Sequence, residues 1–263
     1  VPDPRPELTF GYSPCPNDTF AFHALAHGLV EAPFAIRPVL LDIEELNRRA
    51  HDGAFHLTKL SVGAFAGVGD RYHLLRSGAA LGHGVGPLVV ARTPMTLEQA
   101  VSGRVAIPGR ETTAYRLLRL AAPSLGMPEE MRYDRILRAV ADGTVDAGLI
   151  IHESRFTYQA HGLHCVIDLG DWWERETSLP VPLAGICARA DLDPALAVAA
   201  ESAIRASVQY AFDHPEASRD YVRAHAQELS DAVCAQHIAL YVNAHSLDIG
   251  EHGRRAIARL MAD

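Results

Sequence analysis

From residue 8 to about residue 170, short β-rich apolar runs alternate with segments whose apolar residues recur at helical spacing. "LTFGYS" (8–13), "FAIRPVLL" (34–41), "FHLTKLS" (55–61) and "YHLLRSGAAL" (72–81) read as strands. Between them, residues 17–29 place Phe20, Phe22, Leu25 and Leu29 on one helical face, and "IEELNRRAHDG" (43–53) predicts a helix with a glycine stop. After "GHGVGPLVVAR" the alternation restarts. It predicts strands at 103–109, 129–135, 144–151 and 164–170, and helices at 112–126, 136–143 and 152–162. Past "PVPLAGICAR" (180–189) the pattern turns helical through 194–213, 215–226, 230–245 and 249–262. Such alternation predicts an α/β protein with mostly parallel sheets covered by helices.

"GPLVVAR" and "PLAGICAR" bracket the second series, which divides the chain into two lobes: residues 1–90 with 183–263, and residues 91–182. The chain then enters the second lobe once and leaves it once, and the cleft between two such lobes is a common place for a small-molecule site.

Bulk properties narrow the function. The 263 residues are 48% hydrophobic and 21% charged, as in an ordinary globular protein, and the formal charge of −8 argues against a nucleic-acid surface. Four widely spaced cysteines, with no CxxC pair, fit free thiols in a reducing compartment better than a disulfide framework. No apolar run is long enough to span a bilayer, so no membrane insertion is expected. The opening Val-Pro-Asp-Pro-Arg-Pro lacks the features of a signal peptide, and a cytoplasmic location is expected. "GHGVGP" lacks the spacing of a dinucleotide fingerprint and "HDGAFH" lacks metal-ligand spacing, so neither cofactor nor metal is expected.

The sharpest local feature is "YSPCPNDTFAF" (12–22). Pro14 and Pro16 fix two backbone angles and withdraw two donors, so Ser13–Pro16 is a stiff turn. Asn17, Asp18 and Thr19 are each good caps for the helix that follows. In an open α/β sheet this turn lies at the carboxyl end of a strand, where ligands sit, although a well-made loop would look the same. Cys15 beside a helix N-terminus is either an activated thiol or part of a loop built for shape, and no histidine adjoins it in sequence.

Other places carry candidate chemistry. The helix start at Thr112, Thr113 and Ala114 offers backbone amides and hydroxyls to an anion, or a threonine there simply caps the helix. Lys59, among apolar residues at a strand end, offers a positive charge to an anionic ligand, with Ser61 as a second contact; a solvated lysine is the plainer alternative. His152 falls at the carboxyl end of an apolar strand, where it is either a general base or a satisfied structural histidine. His225, His237, His245 and His252 read as solvated or helix-face residues.

"SPCPNDTF", "LTKLSVGAFA", "GHGVGPLVVAR", "IPGRETTAY", "YDRI", "AGLIIHESRFTY", "DLGDWWE" and "YVNAHSLDIGEHG" together resemble the 1,4-dihydroxy-6-naphthoate synthase family of menaquinone biosynthesis, over nearly the whole chain. The resemblance implies a two-lobed, periplasmic-binding-protein-like (type II) fold used as an enzyme. It implies a carbon–carbon lyase of the futalosine route that acts on the small anionic substrate cyclic de-hypoxanthine futalosine and releases dihydroxyacetone. His152 matches the family's catalytic histidine, a proton acceptor. Lys59, Leu60 and Ser61 match one substrate-binding segment, and Thr113 and Ala114 the other; Thr112 and Asn17 adjoin these contacts. Two alternatives share the architecture: a solute-binding protein without chemistry, and the sister chorismate dehydratase, against which "SPCPNDTF" and "HESRFTY" speak.

Overall fold

The structure, a computed structural model, describes residues 4–226 and 230–262. Two sheets form. In the first, β1 (Glu7–Tyr12) lies parallel between β2 (Ala35–Leu40) and β3 (Leu57–Ser61). The antiparallel β11 (Val181–Arg189) closes it, pairing with β3 and with two short strands, β4 (Tyr72–Leu74) and β5 (Ala80–Gly82). The second sheet runs in the order β10 (His164–Asp168), β6 (Leu88–Ala91), β9 (Ala147–Ile150), β7 (Val105–Ile107), β8 (Glu129–Glu130). The chain passes from one sheet to the other between β5 and β6 and returns between β10 and β11. This is a two-lobed periplasmic-binding-protein-like architecture.

Several of the expected strands and helices differ from what formed, among them the helix expected over 230–245, which breaks into Asp231–Tyr241 and Ala244–Leu247. The run 72–81 is two strands, because Gly78 takes a left-handed φ of +86° and donates to Ser246 O, breaking the ladder. Of 129–135, Glu129–Glu130 alone pairs, and Tyr133 opens a helix to Ala141 whose Tyr133, Ile136, Leu137 and Val140 are buried. Helix spacing outweighs strand propensity there, since it gives the apolar residues one face to bury. The region 152–162 shortens to a helical turn, Ser154–Thr157, and a 3₁₀ turn, Tyr158–His161. Helices Val62–Val68, Leu97–Ser102 and Leu169–Thr177 had no counterpart in the apolar periodicity.

The motif residues near the return crossing act as fasteners. Trp173 is fully buried and donates through Nε1 to Pro180 O. Asp168 caps its helix at Gly170 N and Asp171 N, and Arg155 binds both Asp168 Oδ2 (2.8 Å) and Gly86 O. At this point Gly86 and Gly170 touch backbone to backbone: a Cβ on Gly86 would lie 2.1 Å from Gly170 N and 2.2 Å from its Cα. Backbone cannot yield as a side chain end can. Gly86→Ala is therefore expected to cost roughly 2–3 kcal/mol of stability, visible as a lowered urea midpoint at unchanged slope; an unchanged midpoint would mean that the crossing is not tight.

Candidate active site between the lobes

The stiff turn after β1 places its helix one residue earlier than the cap preferences suggest. Pro16 takes the first helical position, where a missing N–H costs nothing, so the cap falls on Cys15. Asp18 N and Thr19 N both donate to Cys15 O at 3.1 Å. Asn17, Asp18 and Thr19, expected as caps, instead occupy the first turn: Asn17 and Asp18 reach other partners, while Thr19 Oγ1 donates back to Cys15 O at 3.0 Å. Asp18 turns back to accept from Ser13 N at 3.1 Å.

Strand alternation on β3 sets the next layer. Lys59 and Ser61 share one face, while Leu60 points the other way into a cluster with Ala50, Val68, Tyr72 and Cys187. Of the expected 59–61 segment, the cavity is thus lined by Lys59 and Ser61 and not by Leu60. Lys59 is neither solvated nor an isolated charge. Its Nζ donates to Asp18 Oδ1 at 2.5 Å, and both side chains are buried. Burial pushes the Asp18 carboxyl upward, while Lys59 pulls in the opposite direction. The ammonium keeps two further donors for a ligand. Asn47, absent from the sequence candidates, grips Ser61 twice: its Oδ1 accepts from the Ser61 amide and its Nδ2 donates to Oγ.

Asp18 also organises its neighbour. Asn17 Nδ2 donates to Asp18 Oδ1 at 2.7 Å, which turns Asn17 Oδ1 toward His237 Nε2 at 2.8 Å. Of the two readings of His237, solvated or helix-face, the solvated one is corrected: it lies on a helix but is 1% exposed. Its helix, Asp231–Tyr241, packs against Pro16–Ala26, and the ring lies in that seam. Spacing within one helix cannot reveal which face a distant helix will cover.

His152 stands two residues past β9, at the carboxyl end of the strand, with a left-handed φ of 57°. A non-glycine residue there carries about 1–2 kcal/mol of backbone strain, a cost found most often at functional sites. Its Nδ1 lies 3.2 Å from Cys15 Sγ. The fold thus supplies Cys15 with the histidine that the sequence does not place beside it. Burial pushes the Cys15 thiol well above its ordinary range, so the helix N-terminus does not activate it and the neutral thiol serves as a ring partner. The Tyr133 ring stands edge-on to His152 at 4.7 Å, and the His237 ring stacks at 6.3 Å. Although His152 as a residue keeps some exposure, its Nε2 is sealed from solvent and finds no partner among the described residues. Burial, with Lys59 second, lowers the ring's pKa to about 3, so the imidazole is neutral.

The second lobe brings the other anion contact. Thr112 is the cap of helix Thr113–Ala121, accepting from Tyr115 N, which is the plainer of its two readings. Thr113 Oγ1 donates to Leu183 O at 2.6 Å and accepts from Gly63 N, joining the lobes. Both hydroxyls are therefore engaged within the protein. The amides of Thr113 and Ala114 remain as first-turn donors with no acceptor among the described residues.

These groups line one cavity that is partly open to solvent. Asn17, Lys59, Ser61, Thr112, Thr113, Ala114, His152 and His237 supply its polar wall, and Ile43, Val85, Pro87, Ile151, Leu183 and Tyr241 its apolar one. Among the described residues no cluster of three or more His, Cys, Asp or Glu is arranged to hold a metal ion. No helix of the described residues is long and apolar enough to cross a membrane.

Two lobes closed on such a cleft define a class, and solved structures of ligand-capturing proteins share it. The ligand-binding component of an import system from Staphylococcus aureus is 15% identical with a TM-score of 0.72, over 98% of this chain and 91% of that one. The aliphatic sulphonate-binding protein of Escherichia coli is also 15% identical, TM-score 0.65, over 97% and 85%. At that identity the likeness is one of fold. Residues 8–262 match the menaquinone biosynthesis family, and the chain belongs to it. The 1,4-dihydroxy-6-naphthoate synthase of Thermus thermophilus is 61% identical over 97% of this chain and 93% of its own length. That of Streptomyces coelicolor is 48% identical over 97% and 91%. A crystal structure of an Archaeoglobus fulgidus protein superposes with a TM-score of 0.91 at 38% identity, over 97% of this chain and 96% of that one.

Two outcomes follow for stability. Asp18→Asn leaves the Lys59 charge buried without a counter-ion and is expected to cost about 3–5 kcal/mol in urea unfolding, whereas Asp18→Leu combined with Lys59→Met costs much less. Equal losses would mean that the pair is not desolvated. For pH, the His152 pKa is depressed from near 6.5 to about 3, so below pH 6.5 the unfolded chain binds a proton that the folded chain refuses. Native stability therefore falls as the solution is acidified from about pH 6.5 toward about pH 3, and His152→Asn, which tolerates the left-handed backbone, flattens that fall. Parallel pH profiles for the two proteins would show that His152 is not desolvated.

Proposed function

We propose that the chain is a carbon–carbon lyase that converts cyclic de-hypoxanthine futalosine into 1,4-dihydroxy-6-naphthoate and dihydroxyacetone in menaquinone biosynthesis, in the cytoplasm. The observation that carries this reading is His152: a neutral imidazole on strained backbone, facing a ligand cleft in a chain 61% identical to a 1,4-dihydroxy-6-naphthoate synthase.

In this reading the substrate's anionic end sits on the Thr113 and Ala114 amides, which the helix dipole favours, with Ser61 and Lys59 as further donors. The apolar wall holds the ring system. Leu60 belongs to the binding segment through its backbone, its side chain being committed to the core. His152 Nε2 takes the proton of a substrate hydroxyl; the pair left on oxygen forms a carbonyl as the carbon–carbon bond breaks. The departing fragment takes up a proton in turn, and the residual ring becomes aromatic. Substrate and the two products balance without a co-reactant. Negative charge growing beside Nε2 counters the burial that keeps the free ring neutral, so the ring becomes a better base as the proton moves. Dividing the lobes at residues 1–90 with 183–263 and 91–182 puts Asn17, Lys59 and Ser61 on one and Thr112–Ala114 and His152 on the other. Closure would then assemble the site and exclude water.

Turnover of cyclic de-hypoxanthine futalosine by wild type and His152→Asn, with substrate binding measured alongside, tests this reading. Wild type is expected to release the naphthoate, and the variant to bind comparably while its kcat drops by at least roughly 100-fold. Binding without turnover by wild type would make the protein a solute-binding one. Undiminished turnover by the variant would keep the reaction and remove His152 as its base.

A further inference from the structure

The hydrogen-bond chain behind Asn17 fixes something the proposed reaction does not use. Asp18 Oδ1 accepts from Lys59 Nζ and Oδ2 from Ser13 N, so the carboxyl faces donors on every side and Asn17 presents its NH₂ to it. Asn17 Oδ1 is then an acceptor, and the His237 nitrogen 2.8 Å away, Nε2, must carry the proton. One ring proton remains in a neutral imidazole, so Nδ1 is left with a lone pair. That nitrogen is buried and has no partner among the described residues, and His237 lines the cavity together with Asn17, His152 and Tyr241. A buried polar atom with no partner is rare, and a ligand held in the cavity that His237 lines can supply one.

We propose that His237 is a second substrate-touching histidine, whose Nδ1 accepts a hydrogen bond from a hydroxyl of the ligand lying across the stacked His152 ring. The assignment rests on the proposed reaction for the identity of that ligand, a polyhydroxylated substrate, but not for the acceptor state of Nδ1. Burial lowers the His237 pKa well below its ordinary value, and the neighbouring His152 adds to this, so the ring stays neutral and the lone pair stays available. Asp18 and Asn17 are positioning residues in this scheme: they hold the ring in one tautomer, and Tyr241, at 4.6 Å, holds it in place.

The tautomer is read directly from the ¹⁵N spectrum of imidazole-labelled wild type, without any ligand. His237 is expected to show a protonated Nε2 and a bare Nδ1; a protonated Nδ1 overturns the inference whatever the protein catalyses. Turnover then tests contact. His237→Phe keeps an aromatic ring in the seam and loses both nitrogens, and kcat/KM for cyclic de-hypoxanthine futalosine is expected to fall roughly 10- to 100-fold. His237→Asn, which returns an acceptor near the Nδ1 position, is expected to recover part of that loss. Wild-type rates in His237→Phe, or equal losses in the two variants with both folded by circular dichroism, would overturn the proposal while leaving the reaction intact. Absence of turnover by wild type would count against the reaction instead, and the spectrum would still decide the acceptor.

Discussion

The buried ion pair between Lys59 and Asp18 is the constraint on which the site depends. Two opposite charges removed from water are tolerated only when their remaining valences are met, and on the carboxylate they are met by Ser13 N and Asn17 Nδ2. Satisfying the aspartate fixes the orientation of the Ser13–Pro16 turn, the amide plane of Asn17 and, through it, the His237 ring. Strand β3, the first helix and a C-terminal helix far along the chain are thereby locked into one electrostatic arrangement. An apolar pair of similar volume would hold the same elements together without fixing the direction of a single proton.

The second lobe supplies what the first lacks. Its strand β9 delivers His152 on a strained residue, and the helix after β7 delivers two unclaimed amides. The lobes meet where Thr113 bridges Gly63 and Leu183, and where Cys15 meets His152. The helix start at Thr113 and the imidazoles are held by different bond networks. A ligand could therefore be anchored at its anion without disturbing the groups that move protons.

Much of the fold and the placement of several site residues were legible from local pattern. β1, β2, β3 and β9 lie within the short apolar runs read as strands, and the long helix Pro194–Asp213 coincides with its predicted range. His152, Ser61 and Thr113 stand at strand or helix ends because an apolar run must stop where the chain leaves the sheet, whereas Lys59, expected at a strand end, sits in the middle of β3 and is held there by its buried partner Asp18. Leu60 shows the limit of reading a segment as a unit: alternation turns it away from its two neighbours and into the core. The short helices Val62–Val68 and Leu97–Ser102 escaped because about two turns or less of small or mixed residues carry no measurable period.

Residue type and spacing were enough to set the alternation of strands and helices, the stiff turn around Cys15, the polar positions at strand ends and the family resemblance. All of these are local properties of the chain. Packing was needed to establish that Lys59 is neutralised by Asp18, that Cys15 faces His152 from 137 residues away, and that His237 leaves its helix surface for the cleft. Those outcomes depend on which surfaces meet. Burial, which keeps both His152 and His237 neutral, exists only once two distant segments exclude water from the space between them.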